Sequence, residues 1–418
     1  MKILHVIQRY WPCVGGSEKF FQEISERFAR EGHEVCVVTT NAGDPEYFWL
    51  SSKEKVACLE DVHNGVRIRR FPVQHLPLSE VLYLRVRHLI TLVSKLPVDT
   101  SWLLAQVSRT TPYVPALRRE LESTRERYDI VHAGNVLFEP LVTASLKYAR
   151  TRGIPFVLTP WVHLGEEKDD SVRKNYTNRY QMRLIAASDK IICQTDIERD
   201  YLARQGISAE KMVSVGSGIN PEEVSGGNAS RFRARYNIGG PVIFFVGAQS
   251  FDKGVCHLLE AMKLLWESGQ KAALVLAGPI TEHFSRYYDS QPDEVRRKCL
   301  QLGVVSDETK RDLMAAGDVF VMPSRVDSFG IVYLEAWLYR KPVIGAIAGG
   351  VPEVIEHGRD GLLVPFGDVQ KLAGSIQTLL DNPELARELG ERGYQKVTSV
   401  HTWEKKFSRI RNLYLEIC

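Results

Sequence analysis

The 418-residue chain has no apolar run long enough to span a bilayer. Its first residues, Met1 to Pro12, hold only the stretch Ile3 to Ile7, interrupted by His5 and stopped by Gln8 and Arg9, too short for a secretory leader core. Cysteine is sparse and unpatterned. Seven residues, odd in number and scattered without a CxxC pair, exclude a disulfide framework and a zinc site, so a reducing, cytoplasmic setting is expected. Charge of one sign is also missing: 54 basic residues stand against 51 acidic ones, a formal +3, and a nucleic-acid partner is not expected. No DxD triplet occurs. The GxGxxG register of dinucleotide enzymes is absent too, because in VGSGIN the glycines Gly216 and Gly218 are followed by Pro221 where the third glycine belongs.

What is present is the balance of an ordinary globular chain, 44% hydrophobic and 25% charged, at a length that exceeds one hydrophobic core. Two domains are expected. Short apolar runs alternate with helical patterns: Ile3 to Ile7, then Phe20, Phe21, Ile24 and Phe28 on one helical face, then Val35 to Val38. The alternation returns at Ile130 to Val131, Phe156 to Leu158, Lys190 to Cys193 and Met212 to Val215. After the polar, glycine-bearing stretch Pro221 to Gly240 a second series begins, with Val242 to Val246, Ala273 to Leu276, Val319 to Met322, Val343 to Ile344 and Leu362 to Val364. Strands separated by helices favour parallel sheets covered on both faces, an α/β class of doubly wound domains. We therefore divide the chain into 1–220, 221–400 and a terminal amphipathic helix, 401–418, carrying Trp403, Phe407, Ile410 and Leu413 at helical spacing and returning to the first domain.

The stretch Pro323 to Gly361 carries the chemistry. It starts where a strand ends, the place where doubly wound folds bind ligands. Asp327 and Glu335 flank seven residues, and Phe329 and Gly330 between them open a helix whose free amides would favour a diphosphate. Glu335, about a turn and a half further on, is within reach of sugar or ribose hydroxyls. The competing reading makes Asp327 a helix cap and Glu335 a solvated helix residue. By the same reasoning Asp169 and Asp170 cap or decorate a polar helix start.

Two acids separated by seven residues, followed by Gly349, Gly350 and Glu353, resemble the donor-binding signature of retaining glycosyltransferase family 4. The resemblance covers most of the chain, since Tyr10, Pro12, Gly15, Gly16 and Glu18 match that family's opening loop. It implies the GT-B architecture: two Rossmann-like domains facing a central cleft, the first on the acceptor side, the second holding a nucleotide-sugar donor. It also implies that Glu335 holds the ribose, Asp327 meets the donor sugar, and the backbone at Phe329, Gly330 and Ile331 approaches sugar and phosphates. Gly15 and Gly16 would let backbone come close to the donor. His163, in TPWVHLGE, matches a histidine near the reacting sugar, and Lys253, in FVGAQSFDKG, a cation facing the leaving diphosphate.

Two positions depart from that pattern. The first acid is Asp327, one methylene short, and Ala248 stands where an arginine is expected, leaving Arg325 and Arg9 as candidates to restore the charge. No metal and no cofactor are expected. The acceptor, whether a glycan, a lipid-linked sugar or a small molecule, is unnamed. A nucleotide-sugar epimerase and a non-catalytic nucleotide-sugar-binding subunit are the alternatives.

Between Val73 and Tyr128 the alternation breaks, and an inserted group of helices is expected. There Leu82, Val86, Leu89, Ile90, Val93 and Leu96 follow helical spacing, with Arg85, Arg87, His88 and Lys95 among them. Either the apolar face packs inward and the bases are solvated, or the segment lies peripherally against an anionic membrane on the acceptor side.

Overall fold

Eight strands build the first sheet in the computed structural model, which describes residues 1–13 and 15–418. They are β1 (Lys2–Val6), β2 (Glu34–Thr40), β3 (Glu60–His63), β4 (Val66–Phe71), β5 (Ile130–Gly134), β6 (Phe156–Thr159), β7 (Lys190–Cys193) and β8 (Met212–Ser214), in the order β3-β4-β2-β1-β5-β6-β7-β8. All neighbours are parallel except β3 and β4. The chain runs outward from β1 to β4, then resumes on the other side of β1 at β5, so the sheet has its switch point between β1 and β5. The hairpin β3–β4 was not among the expected strands. Its signal is nonetheless local: Asn64 and Gly65 both take positive φ (47° and 80°), the geometry an Asn-Gly turn supplies between two strands. Val14, inside the turn expected at Pro12 to Gly16, lies outside the described residues.

The second sheet has six parallel strands, β9 (Val242–Val246), β10 (Ala273–Ala277), β11 (Cys299–Gly303), β12 (Val319–Met322), β13 (Val343–Ala346) and β14 (Leu362–Val364). Their order is β11-β10-β9-β12-β13-β14, with the switch point between β9 and β12. Both of these central strands, VIFFV and VFVM, are buried along their whole length, as expected where helices cover both faces. The edge strand β11 was not among the expected strands, because its polar Gln301 breaks the apolar run.

Residues 1–162, 171–215 and 407–418 form one compact unit, and 163–170 with 216–406 the other. The division after Val215 falls slightly before the expected one after residue 220. The segment 163–170, expected in the first domain, packs with the second. The expected insertion consists of the helices Ser79–Ser94, Ser101–Val107 and Pro115–Ser123.

The terminal helix, Trp403–Ile417, sends Phe407 and Tyr414 against Phe28 of the first unit, at ring separations of 4.8 Å each. Tyr414 also closes a buried polar chain. Its hydroxyl lies 3.0 Å from His5 Nε2 and 2.6 Å from His132 Nδ1, while Ser25 and Thr159 engage the far nitrogens at 2.7 and 2.8 Å. A phenol has one hydrogen, so it donates to one imidazole and accepts from the other. Both rings are neutral: burial pushes His5 down to about 3 and His132 well below its ordinary value. Tyr414→Phe should therefore cost about 1–3 kcal/mol in urea unfolding, by leaving two buried ring nitrogens short of a partner. Below pH about 6.5 the unfolded chain binds protons that the folded His5 refuses, so stability should fall with pH down to about 3. Urea titrations at descending pH should show that slope, and His5→Gln should make it shallower while His132 and His163 maintain the rest.

Candidate active site

The loops that leave β9 and β12 flank the second switch point, and each brings one charged side chain to it. After β9, a short 3-10 turn, Phe251–Lys253, ends at Gly254, whose φ of +79° and whose approach to the Pro323 carbonyl leave no room for a Cβ, which would sit 2.2 Å from that oxygen. Lys253 is thereby fixed beside the β12 loop. Its ammonium donates to Asp327 Oδ1 at 2.7 Å, in a pair with side-chain exposures of 24% and 13%. Burial alone would raise the Asp327 carboxyl, but Lys253, helped by nearby Ser324 and His163, holds it below the usual carboxylate range. The other oxygen, Oδ2, is buried without a hydrogen-bond partner among the described residues.

Asp327 does not cap the following helix. The helix Ile331–Leu338 starts after Gly330, itself left-handed at φ 87° and without a side chain to cap the helix. A Cβ on Gly330 would meet the Tyr333 ring at 2.5 Å, so the tight entry requires glycine. Phe329 is buried edge-on against His401 at 5.5 Å. Gly349, at φ 58°, presses on the Asp327 carbonyl and donates its N–H to the Gly165 carbonyl at 2.8 Å, and Gly350 N–H donates to the Asp327 carbonyl at 2.9 Å. The paired glycines thus clamp the Asp327 loop.

His163 belongs to this cluster. Its Nδ1 bonds the Val326 carbonyl, which can only accept, so Nδ1 carries the hydrogen and Nε2 has the lone pair. Burial first, and Lys253 next, push the imidazole down to about 4, against the opposing pull of Asp327, so it is neutral at pH 7. Glu335 sits on the same helix and is no solvated residue: its side chain is 12% exposed, and Lys310 Nζ lies 2.7 Å from both carboxylate oxygens. Lys310 comes from the helix Asp307–Ala316, and no motif pointed to it.

Three expectations need correction or completion. Asp169 caps no helix; it lies in a loop and meets Arg325 at 3.4 Å. Arg325 is engaged by Asp252 at 2.8 Å and by Glu166 at 3.5 Å as well, and is stacked 4.9 Å from the Phe366 ring, so it is not a spare cation in place of Ala248. Arg9, in the first unit, is bound to Glu18 at 2.8 Å. Gly15 and Gly16 open the helix Gly16–Arg30 in that unit, after β1 at its own switch point; Gly15 is extended, and a Cβ there would meet Glu18 Oε2 at 2.3 Å. Among the described residues no three His, Cys, Asp or Glu side chains gather as a metal site.

Comparison with known proteins matches residues 228–396 to the family described as glycosyl transferases group 1, and residues 15–218 to the glycosyl transferase 4-like domain. Both matched families are of glycosyl transferases, and the two matches together span most of the chain. Among curated relatives of this glycosyltransferase is the sulfoquinovosyl transferase SQD2 of Arabidopsis thaliana, 25% identical over 96% of this chain and 70% of that one. A glycogen synthase of Mycobacterium tuberculosis is 24% identical over 99% and 94% of the two chains. Among solved structures, Anabaena HepE in complex with UDP and glucose superposes with a TM-score of 0.72 at 19% identity, covering 100% of both chains. A sucrose-phosphate synthase from Thermosynechococcus elongatus does so with 0.71 at 20% identity, over 100% and 99%. At these identities the structural likeness is one of fold, the α/β two-domain GT-B fold.

The half-buried pair generates a stability prediction. Removing Lys253 leaves a carboxylate without its cation, so Lys253→Met should cost about 2–4 kcal/mol, below a fully buried pair because Lys253 is 24% exposed. Asp327→Asn in that background should restore about 1 kcal/mol or more, read as coupling in a double-mutant cycle by urea unfolding. An unchanged midpoint in Lys253→Met would remove the charge-balance account.

Proposed function

We propose that this glycosyltransferase moves a sugar from a nucleoside-diphosphate donor to an acceptor with retention at the anomeric carbon, in glycan, polysaccharide or glycolipid synthesis. The observation that carries the reading is the cluster at the second switch point: His163, Lys253 and Asp327 gather beside a helix start with glycine at its N-cap, and Asp327 holds a buried oxygen with no hydrogen-bond partner among the described residues. Such an oxygen asks for a donor, and a sugar hydroxyl supplies one. The UDP and UDP-glucose complexes of Anabaena HepE support a nucleotide-sugar ligand for this fold.

Each residue then has a task. Glu335 accepts hydrogen bonds from the ribose hydroxyls, with Lys310 holding its carboxylate in place. The backbone at Phe329, Gly330 and Ile331 meets the sugar and the diphosphate, and Gly15 and Gly16 are further donor-binding positions. An ammonium has three hydrogens and Asp327 takes one, so Lys253 can also bond the phosphate oxygens, where charge builds as the bond to the anomeric carbon breaks. His163, neutral, adds no positive charge beside a carbon that is itself becoming positive. No protein nucleophile is needed: Asp327 is neutralised by Lys253, and the departing phosphate takes the acceptor proton on the same face.

A non-catalytic nucleotide-sugar-binding subunit has one observation in its favour, the absence of a cation at Ala248 together with the commitment of Arg325 to three carboxylates. Slow hydrolysis of the donor by purified protein decides for an enzyme; tight donor binding without turnover across an acceptor panel decides against it. The acceptor is a glycan, a lipid-linked sugar or a small molecule, and a lipid-linked one goes with peripheral contact at a membrane.

Glu335→Ala should weaken donor binding about 10- to 100-fold, the size of a lost charge-assisted hydrogen bond, with kcat little changed. Lys253→Ala should lower kcat about 100- to 1,000-fold with a smaller effect on binding, because it meets charge that develops only in the transition state. Wild-type binding and turnover in both variants would remove the site. Activity should also survive excess chelator, with Lys253 and backbone amides opposing the diphosphate charge; loss on chelation and recovery with a divalent ion would overturn that.

A further inference from the structure

The helix Ser79–Ser94 is inside out. Its inward face, Tyr83, Arg87, Ile90 and Ser94, includes an arginine, while Val81, Leu89, Leu92 and the adjoining Leu96 face solvent with exposures of 47–51%. Arg87 fixes this rotation. Its guanidinium bonds Glu139 Oε2 at 2.7 Å, a carboxylate with no exposed surface, whose other oxygen accepts from Gln181 at 2.9 Å and Asn178 at 3.3 Å. Turning the helix to bury its leucines would strand Glu139 as an unpaired buried charge, which is the costlier state. The leucines are therefore held out, and Trp102, 70% exposed, stands on the next helix, Ser101–Val107, which packs against this one.

We propose that this face is a docking surface for an anionic lipid membrane, on which the helix lies in the interfacial plane. Length supports lying rather than crossing: 16 residues span about 24 Å, short of a hydrocarbon core of about 30 Å, and among the described residues no helix is long and apolar enough to cross. Charge selects the partner. From Val81 to Val98 there is no acidic residue, while Arg85, His88 and Lys95 are exposed among the leucines; Asp99, at the end of the stretch, is bonded to Arg183. A second copy meeting this face across a two-fold axis would set these bases against themselves, whereas anionic headgroups attract them and acyl chains take the leucines. The surface is independent of the donor chemistry, and its test uses no donor.

The full-length protein should sediment with vesicles of phosphatidylcholine and phosphatidylglycerol at least about tenfold more strongly than with phosphatidylcholine alone, and less at high salt. Trp102 should shift its emission to the blue on binding, identified by difference against Trp102→Phe. Leu92→Ser with Leu96→Ser, and separately Arg85→Gln with Lys95→Gln, should each weaken binding about tenfold while unfolding as wild type does. Should the leucine pair fail to fold, Leu89→Ser alone gives the same reading. No binding to the anionic vesicles at low salt overturns the proposal, as does equal binding to neutral ones. A concentration-dependent dimer in light scattering that Leu92→Ser abolishes overturns it too, because a second copy then covers the face.

Discussion

A carboxylate taken out of water must find a cation, and the second unit is arranged around that demand at Asp327. Lys253 reaches it only because β9 and β12 are neighbours at the switch point, so that the loops leaving their carboxyl ends run side by side. Glycine then makes the approach possible: Gly254 lies against Pro323, and Gly349 against the Asp327 carbonyl, at distances no side chain tolerates. The same pair sets the electrostatics of His163, whose imidazole feels the ammonium beside it as well as its own burial. Charge balance, loop geometry and the protonation of the histidine are one arrangement.

The first unit solves a related problem differently. Its two central strands, β1 and β5, carry His5 and His132 into the sheet, and the polar atoms are satisfied by a hydroxyl from the far end of the chain, Tyr414. A further buried charge, Glu139, is met by Arg87 and two amides, and this contact decides which face of the inserted helix looks inward. In each case a buried polar group recruits a distant segment and fixes its orientation; hydrophobic burial alone does not discriminate among rotations of a helix that is apolar on both sides.

The fold and the motif after β12 both rest on short-range patterns, which is why they were legible. Strands at Lys190–Cys193, Val242–Val246, Val319–Met322 and Leu362–Val364 coincide with apolar runs, because a strand buried on both faces has to be continuous in hydrophobicity. The hairpin β3–β4 and the edge strand β11 escaped the same search, since strands with one solvated face mix polar residues into the run. Helical spacing reveals the inserted helix but not that Arg87, one of the bases along it, turns inward to Glu139.

By itself the sequence determined the two-domain α/β class and the place of the motif after a strand, and it singled out Asp327, Glu335, Lys253 and His163 as candidates, since spacing along the chain is a local property. Only the tertiary structure decided that His163 travels with the second unit, that Asp327 is a buried ion-pair partner and no helix cap, that Lys310 holds Glu335, and that Arg325 is committed to carboxylates. Each of these depends on which strands are neighbours and which side chains lose their water, and neither strand order nor desolvation is written in any contiguous stretch of residues.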